Sequence, residues 1–380
     1  MLRNEKIAII GGGIPGLCTA LALQQKGVHA EVYDRNDQNN KYGTGIVLGE
    51  NALQCLEYFG LKKRIQEIGL SAEKCTIYSE IGKSLANLTY QSSTSKFLSV
   101  PVDEFKTILM AALIPGTVHF QKNVNFFIET DDGIQISFGD HTRKTMDYLI
   151  ACDGANSFIR TKLFPDLEPQ YTGLSSWNGI IDWDEEIGKV GYSETWGPHG
   201  IFGIVPLQNN KIYWYAIKKC NQHENYKNWN SLDLLFNFFS YHEPIQTILE
   251  KQEDQPLYKK DLFKLDLLQQ YLYGRILLLG EAGNVCPSNL DQFSSQAIED
   301  AYALSNTLSS EVSLGEAFKE YEKQSLGRNM RISADMDRLY KMAQLDKPAL
   351  CSIRNKLFKL VPDRFHEKKL KSIFGMETCQ

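Results

Sequence analysis

The chain has 380 residues, more than one simple core needs, so two domains or one domain with a large insertion are expected. A net charge of −5 and a pI near 5.9 argue against a general nucleic-acid binder, which would carry a basic excess. The eight cysteines include no CxxC pair and the seven histidines are scattered singly, so the reading is reduced thiols in a cytoplasmic protein, with no metal site.

The first stretch with a chemical signature is 6–35. Ile7 to Ile10 is an apolar run of strand length, and glycines follow at 11, 13 and 16 as the pattern turns helical. In this G-x-G-x-x-G turn Gly11 bends the chain, Gly13 admits a pyrophosphate to the backbone and Gly16 lets the helix lie against the strand. Ile14 and Pro15 open that helix, whose free amides face phosphate. A second strand ends at Asp34-Arg35, and an acid eighteen residues past Gly16 is placed to hold a ribose hydroxyl. The four-residue apolar run is far shorter than a signal peptide's, and nothing later approaches a membrane span, so a soluble or at most peripheral protein is expected.

Beyond a polar loop, glycines 43, 45 and 49 permit close backbone approach, with Ile46 beside Gly45. Asn51 is expected to cap a helix that Gly60 ends. Strands are expected at 75–78 and 86–90, a helix at 103–113 and a meander over 118–138. The next segment, Met146 to Arg160, reads as a buried strand ending at Asp153-Gly154, with Ser157 and Arg160 one helical turn apart. A carboxylate and a cation would then stand at the mouth of a nucleotide cleft. Aromatic-rich strands follow at 171–183, 190–196, 200–206 and 211–218, a largely antiparallel insert that could line an apolar pocket. The chain returns to the first pattern at 274–304, where a strand ends at Gly280-Glu281 and a helix begins near Ser294. The tail over 353–374 carries seven Lys or Arg and an apolar stripe; acids at 363 and 367 favour a solvated face on a closing helix over a membrane-surface helix.

These segments together resemble the single-component FAD-dependent aromatic hydroxylases, the group of para-hydroxybenzoate hydroxylase, salicylate hydroxylase and the tetracycline-inactivating monooxygenases. The resemblance implies an α/β protein, a Rossmann-type FAD-binding domain (1–165 and 271–330) with an inserted, mainly antiparallel substrate domain (166–270) and C-terminal helices (331–380). It implies FAD as cofactor, NADPH or NADH as co-substrate, and O2 and a small aromatic molecule as the other reactants. Cofactor contacts are implied at Gly11, Gly13, Ile14, Pro15, Gly16, Asp34, Arg35, Gly45, Ile46, Asp153, Gly154, Arg160, Gly280, Glu281, Pro287 and Gln292. Tyr192, His199, Tyr213 and Tyr215 are candidates to orient or deprotonate a phenol. The chain departs from the family in carrying Glu281 for an aspartate, Leu290-Asp-Gln-Phe293 for a glycine-rich loop, and Val102 for an arginine. Those departures keep a second reading open, a flavin-binding protein of the same fold without oxygenase chemistry; a flavin-dependent halogenase is a more distant third. Oligomeric state stays open.

Overall fold

The computed structural model describes residues 3–89, 97–184, 188–221, 228–253, 255–285, 292–309, 311–362 and 365. Four sheets organise them. The first, six-stranded, runs in the order β18 (Leu272–Tyr273), β19 (Ile276–Leu278), β12 (Tyr148–Ala151), β1 (Arg3–Ile10), β2 (Val28–Tyr33), β8 (Val118–His119). All its pairings are parallel except β18 with β19. Its central residues Ile7, Ala8, Ile9, Leu149, Ile150 and Leu277 have no exposed surface, as expected of parallel strands covered on both faces.

Helix α1 (Ile14–Gln25) lies on this sheet and packs against α8 (Gln292–Thr307). Apolar residues occupy all of its sides because both neighbours need them, so its burial, rather than an amphipathic stripe, makes it a helix. Four further helices flank this half: α2 (Glu50–Tyr58), α3 (Lys62–Ile68), α4 (Val102–Ala112) and α5 (Phe158–Leu163). Gly60 does close the α2 segment with a positive φ of 74°. Asn51 does not cap it: Gly49 takes the cap position, and the Asn51 side chain instead donates to Glu299 at 2.7 Å.

The largest sheet has seven strands, ordered β17 (Tyr258–Lys264), β13 (Gln170–Asp182), β16 (Lys211–Lys219), β15 (Gly200–Leu207), β14 (Ser193–Gly197), β5 (Lys74–Ser79), β6 (Ser84–Thr89). The expected boundary at 165/166 is not where the sheets divide, since β5 and β6 come from 74–89 and β5 pairs in parallel with β14. One face, with Trp177, Phe202 and Trp214, is covered by α6 (Ser231–Asn237) and α7 (Ile245–Lys251). The other carries Tyr192, Trp196, Tyr213 and Tyr215 and packs on the C-terminal helices. Two three-stranded sheets, β3 (Gly45–Leu48), β7 (Phe97–Pro101), β4 (Leu70–Ala72) and β11 (Arg143–Met146), β10 (Gly133–Phe138), β9 (Val124–Thr130), complete the set.

Helix α9 (Leu314–Ala343) joins the two halves. Ser313 and Glu316 form a capping box at its start. Its first turns bury Leu314, Phe318 and Tyr321 in the core of the parallel sheet, and its later turns bury Ile332, Met336 and Tyr340 against the seven-stranded sheet. The last described helix, α10 (Pro348–Leu360), packs beside β6.

Candidate functional site

Strand register builds the site. Ile10 is level with Tyr33 on one side and Ala151 on the other, and Ala151 is level with Leu278. Hydrogen bonds carry this alignment one residue further: the Gly11 amide donates to the Tyr33 carbonyl (2.8 Å), Cys152 to Ile10 (2.7 Å) and Leu279 to Ala151 (2.9 Å). Everything that follows these strand ends therefore opens onto one edge of the sheet, the edge where open α/β folds take ligands. A cleft of about 230 Å³ lies there, walled by Gly11 to Gly13, Pro15, Asp34, Arg35, Asp153, Gly154 and Glu281.

The glycines have separable reasons. Gly11 has φ 109°, and a Cβ on it would lie 2.3 Å from the Cys152 carbonyl oxygen. At Gly16 a Cβ would meet the Gly11 carbonyl oxygen at 1.9 Å, so that residue lets helix and turn close together. A Cβ on Gly13 would meet only Pro15, at 3.5 Å, because that side of the turn is the open cleft. Helix α1 has no side-chain cap and no acid in its first turn, which leaves its leading amides to a ligand.

Asp34 is 4% exposed, and both its oxygens are fixed: Oδ2 accepts the Gly12 amide (3.1 Å) and Oδ1 the Asn36 amide (2.9 Å). Each keeps a lone pair for a hydroxyl. Asp153 is complementary. Its Oδ2 accepts the Ile159 amide (3.2 Å), its Oδ1 is buried with no partner among the described residues, and burial raises its pKa. An unpartnered buried acceptor on a cleft wall calls for a donor from a bound molecule. Leading amides of α1, a fixed carboxylate and an unsatisfied oxygen on the walls of one cleft fit an adenosine diphosphate group, so these residues could hold that half of FAD.

Other expected contacts lie elsewhere. Arg160 is not at the cleft mouth: it is fully buried, and its guanidinium donates to the carbonyls of Ala155 (2.6 Å), Ala282 (3.1 Å) and Glu281 (3.3 Å). It fixes the turn that carries Glu281. Ile14 and Ile46 are core residues, and Gly45 makes room for the Tyr213 ring, 3.0 Å from where its Cβ would be. Gly280 turns with φ 62° just before Glu281. Val102 opens α4 and is buried. Pro287 and the loop 290–291 lie outside the described residues; Gln292 and Phe293 begin α8, their side chains undescribed.

Of the pocket candidates, Tyr192, Tyr213 and Tyr215 share one sheet face. The Tyr215 hydroxyl is committed to Glu194, which also accepts Trp196 Nε1 at 2.8 Å and whose pKa burial raises. His199 is elsewhere: it is exposed in the turn between β14 and β15, its amide donating to Tyr241 (3.2 Å) and its carbonyl accepting from Asn237 of the α6 side (3.1 Å). The structure adds walls that no motif announced. Lys122 and Val124 line the cleft because the Lys122 amide donates to the Asp34 carbonyl at 2.8 Å, a long-range bond.

Residues 4–328 match the family described as FAD binding domain. The chain belongs to that family. Among curated relatives, an aurachin C monooxygenase/isomerase of Stigmatella aurantiaca is 25% identical over 365 residues, 95% of each chain. A 6-hydroxynicotinate 3-monooxygenase of Bordetella bronchiseptica is 25% identical over 351 residues, 87% of this chain and 90% of that one. The crystal structure of Klebsiella pneumoniae HpxO with FAD and uric acid shares the fold, with a TM-score of 0.88, 20% identity and coverage of 99% and 98%. This chain is an FAD-dependent oxidoreductase of the monooxygenase class. The described residues contain no helix long and apolar enough to cross a membrane.

Proposed function

We propose that this FAD monooxygenase hydroxylates a small aromatic or heteroaromatic ring compound, with NADPH or NADH as reductant. The observation that carries the reading is the common level of the strand ends at Ile10, Tyr33, Ala151 and Leu278, which gathers the glycine turn, Asp34, Asp153 and Glu281 around one cleft. The relatives' names, with aurachin C, 6-hydroxynicotinate and uric acid, support an aromatic substrate.

In this reading Asp34 would accept the adenosine ribose hydroxyls, the amides beside Gly13 would take the pyrophosphate, and Asp153 and Glu281 would hold the remainder of the linker. The chemistry FAD supplies, when bound, is acceptance of hydride from NADH or NADPH and activation of O2 for transfer of one oxygen atom. The chain's part is to bind, orient and exclude water. Tyr192 and Tyr213, on the face turned to the C-terminal helices, supply apolar wall; Tyr215, held by Glu194, supplies rigidity rather than a free proton donor. The six described cysteines are buried thiols rather than a disulfide framework, which supports a cytoplasmic location.

The test is turnover of candidate ring compounds by FAD-loaded protein under isotopically labelled O2. A substrate that accelerates NADPH or NADH oxidation and gains one labelled oxygen supports the reading. Oxidation that no ring compound accelerates, with all label in hydrogen peroxide or water, overturns it.

A further inference from the structure

One end of the seven-stranded sheet presents apolar side chains from three separate elements. Strands β5 and β14 run parallel with Ser79 level with Trp196, so the turn after β5, containing Ile81, and the turn holding His199 lie at the same end. Asn237 of α6 donates to the His199 carbonyl, and the His242 amide donates to the Glu80 carbonyl at 2.9 Å, which brings the end of α6 there too. Helix α10 is anchored at this end by Arg354, which donates to the Trp196 carbonyl at 2.9 Å, and by Phe358 against the Trp196 ring.

The side of α10 away from that anchor is apolar and bare. Leu350, Ile353, Leu357 and Leu360 fall at helical spacing on one stripe and are 42% to 77% exposed; Ile81 is 60% exposed, Phe239 71% and Phe236 90%. Monomeric proteins seldom leave such a set of large side chains in water without a use for it. Its rim is basic. Lys83, Lys356 and Lys359 line the groove between α10 and the β5 to β6 turn, where the acid is Glu80, with one oxygen buried. No salt bridge among the described residues engages these lysines, and 347–362 contains no acid. The nearest preceding acid, Asp346, is paired with Lys219 at 2.9 Å. Asp363 and Glu367, expected to dilute this charge, lie outside the described residues.

We propose that this end of the molecule docks on an anionic phospholipid surface, the α10 stripe and the aromatic rings of 236 and 239 entering the acyl boundary and the lysines meeting lipid phosphates. A cationic rim on a chain of net charge −5 selects an anionic partner. A two-fold contact with a second copy would instead bring two copies of this basic rim into one interface. With no crossing helix among the described residues, attachment is peripheral and reversible.

The test is co-sedimentation of the full, FAD-loaded chain with vesicles of phosphatidylcholine alone or mixed with phosphatidylglycerol; the readout does not depend on turnover. Binding to the mixed vesicles, weakened by salt, is expected. Lys356→Glu with Lys359→Glu should lower it roughly thirtyfold, and Ile353→Asp with Leu357→Asp should abolish it. Both variants should keep the wild-type circular dichroism and flavin absorbance, since all four side chains are exposed. The proposal is overturned if mixed vesicles leave the protein in the supernatant, or if both variants sediment like wild type. It is equally overturned if Ile353→Asp with Leu357→Asp dissolves a dimer of a chain that ignores vesicles.

Discussion

The Gly12 amide donates to Asp34 Oδ2 at 3.1 Å, and a Cβ on Gly12 would lie 2.6 Å from that same oxygen. The carboxylate thus sits against the glycine turn itself, so phosphate-facing amides and ribose-facing acid form one rigid unit. Asp34→Ala removes the acceptor of two amides and of the ribose hydroxyls. Loss of hydrogen bonds to a charged group, about 1.5–3 kcal/mol, should raise the FAD dissociation constant roughly ten- to hundredfold. Quenching of FAD fluorescence on titration with apoprotein reads it, and an unchanged constant would separate Asp34 from the cofactor.

Gly13→Ala and Gly16→Ala should fail differently. The new methyl at 13 meets only Pro15, so apoprotein stability should change by less than about 0.5 kcal/mol while FAD affinity falls, because the methyl enters the cleft. At 16 the methyl collides with backbone at 1.9 Å, and urea unfolding of the apoprotein should show a loss of about 1–3 kcal/mol or more. Equal stability losses in the two variants would contradict this division of roles.

Arg160→Lys should behave as a loss rather than a conservative change. A single ammonium cannot reproduce a planar fork that reaches the carbonyls of Ala155, Glu281 and Ala282 together. A destabilisation on the order of 2–4 kcal/mol is expected by urea melts. Wild-type stability with weakened FAD binding would instead place Arg160 in the cofactor site.

Asp300 gives a pH signature. It is buried on α8, and burial pushes its carboxyl up to about 7, with Glu299 adding to the rise and Arg328 opposing it. The folded value exceeds the ordinary 3.8, so the native state holds a proton that the unfolded chain has released. Its contribution is therefore fully present below about pH 4 and lost as pH rises through about 7, on the order of a few kcal/mol. Relative to wild type, Asp300→Asn should gain stability between these pH values and level off above them. A constant difference across the range would contradict the assignment.

The parts of this fold that could be read from sequence are those whose cause is local. An apolar run, three glycines and an acid at fixed spacing constrain backbone whatever surrounds them, and the strands expected at 7–10, ahead of Asp153 and ahead of Gly280 form as β1, β12 and β19, buried at 7–10, 149–151 and 276–278. Arg160 misled because a one-turn spacing from Ser157 says nothing about which carbonyls lie under the side chain. His199 misled because a hairpin turn's side is set by α6, which packs there only in the folded molecule. Lys122 and Val124 gave no signal, since their place on the cleft depends on a hydrogen bond to Asp34 across the chain. Similarly, β5 was visible as a strand, but its partner β14 lies far along the chain, so its membership in the larger sheet was not.

The most direct test of the central claim, that the aligned strand ends clamp the adenylate half of FAD, is a competition titration of apoprotein. The account predicts that one equivalent of FAD binds, that ADP displaces it, and that FMN, which lacks the adenylate, does not. Binding of FMN as tight as that of FAD, with no effect of ADP, would contradict it.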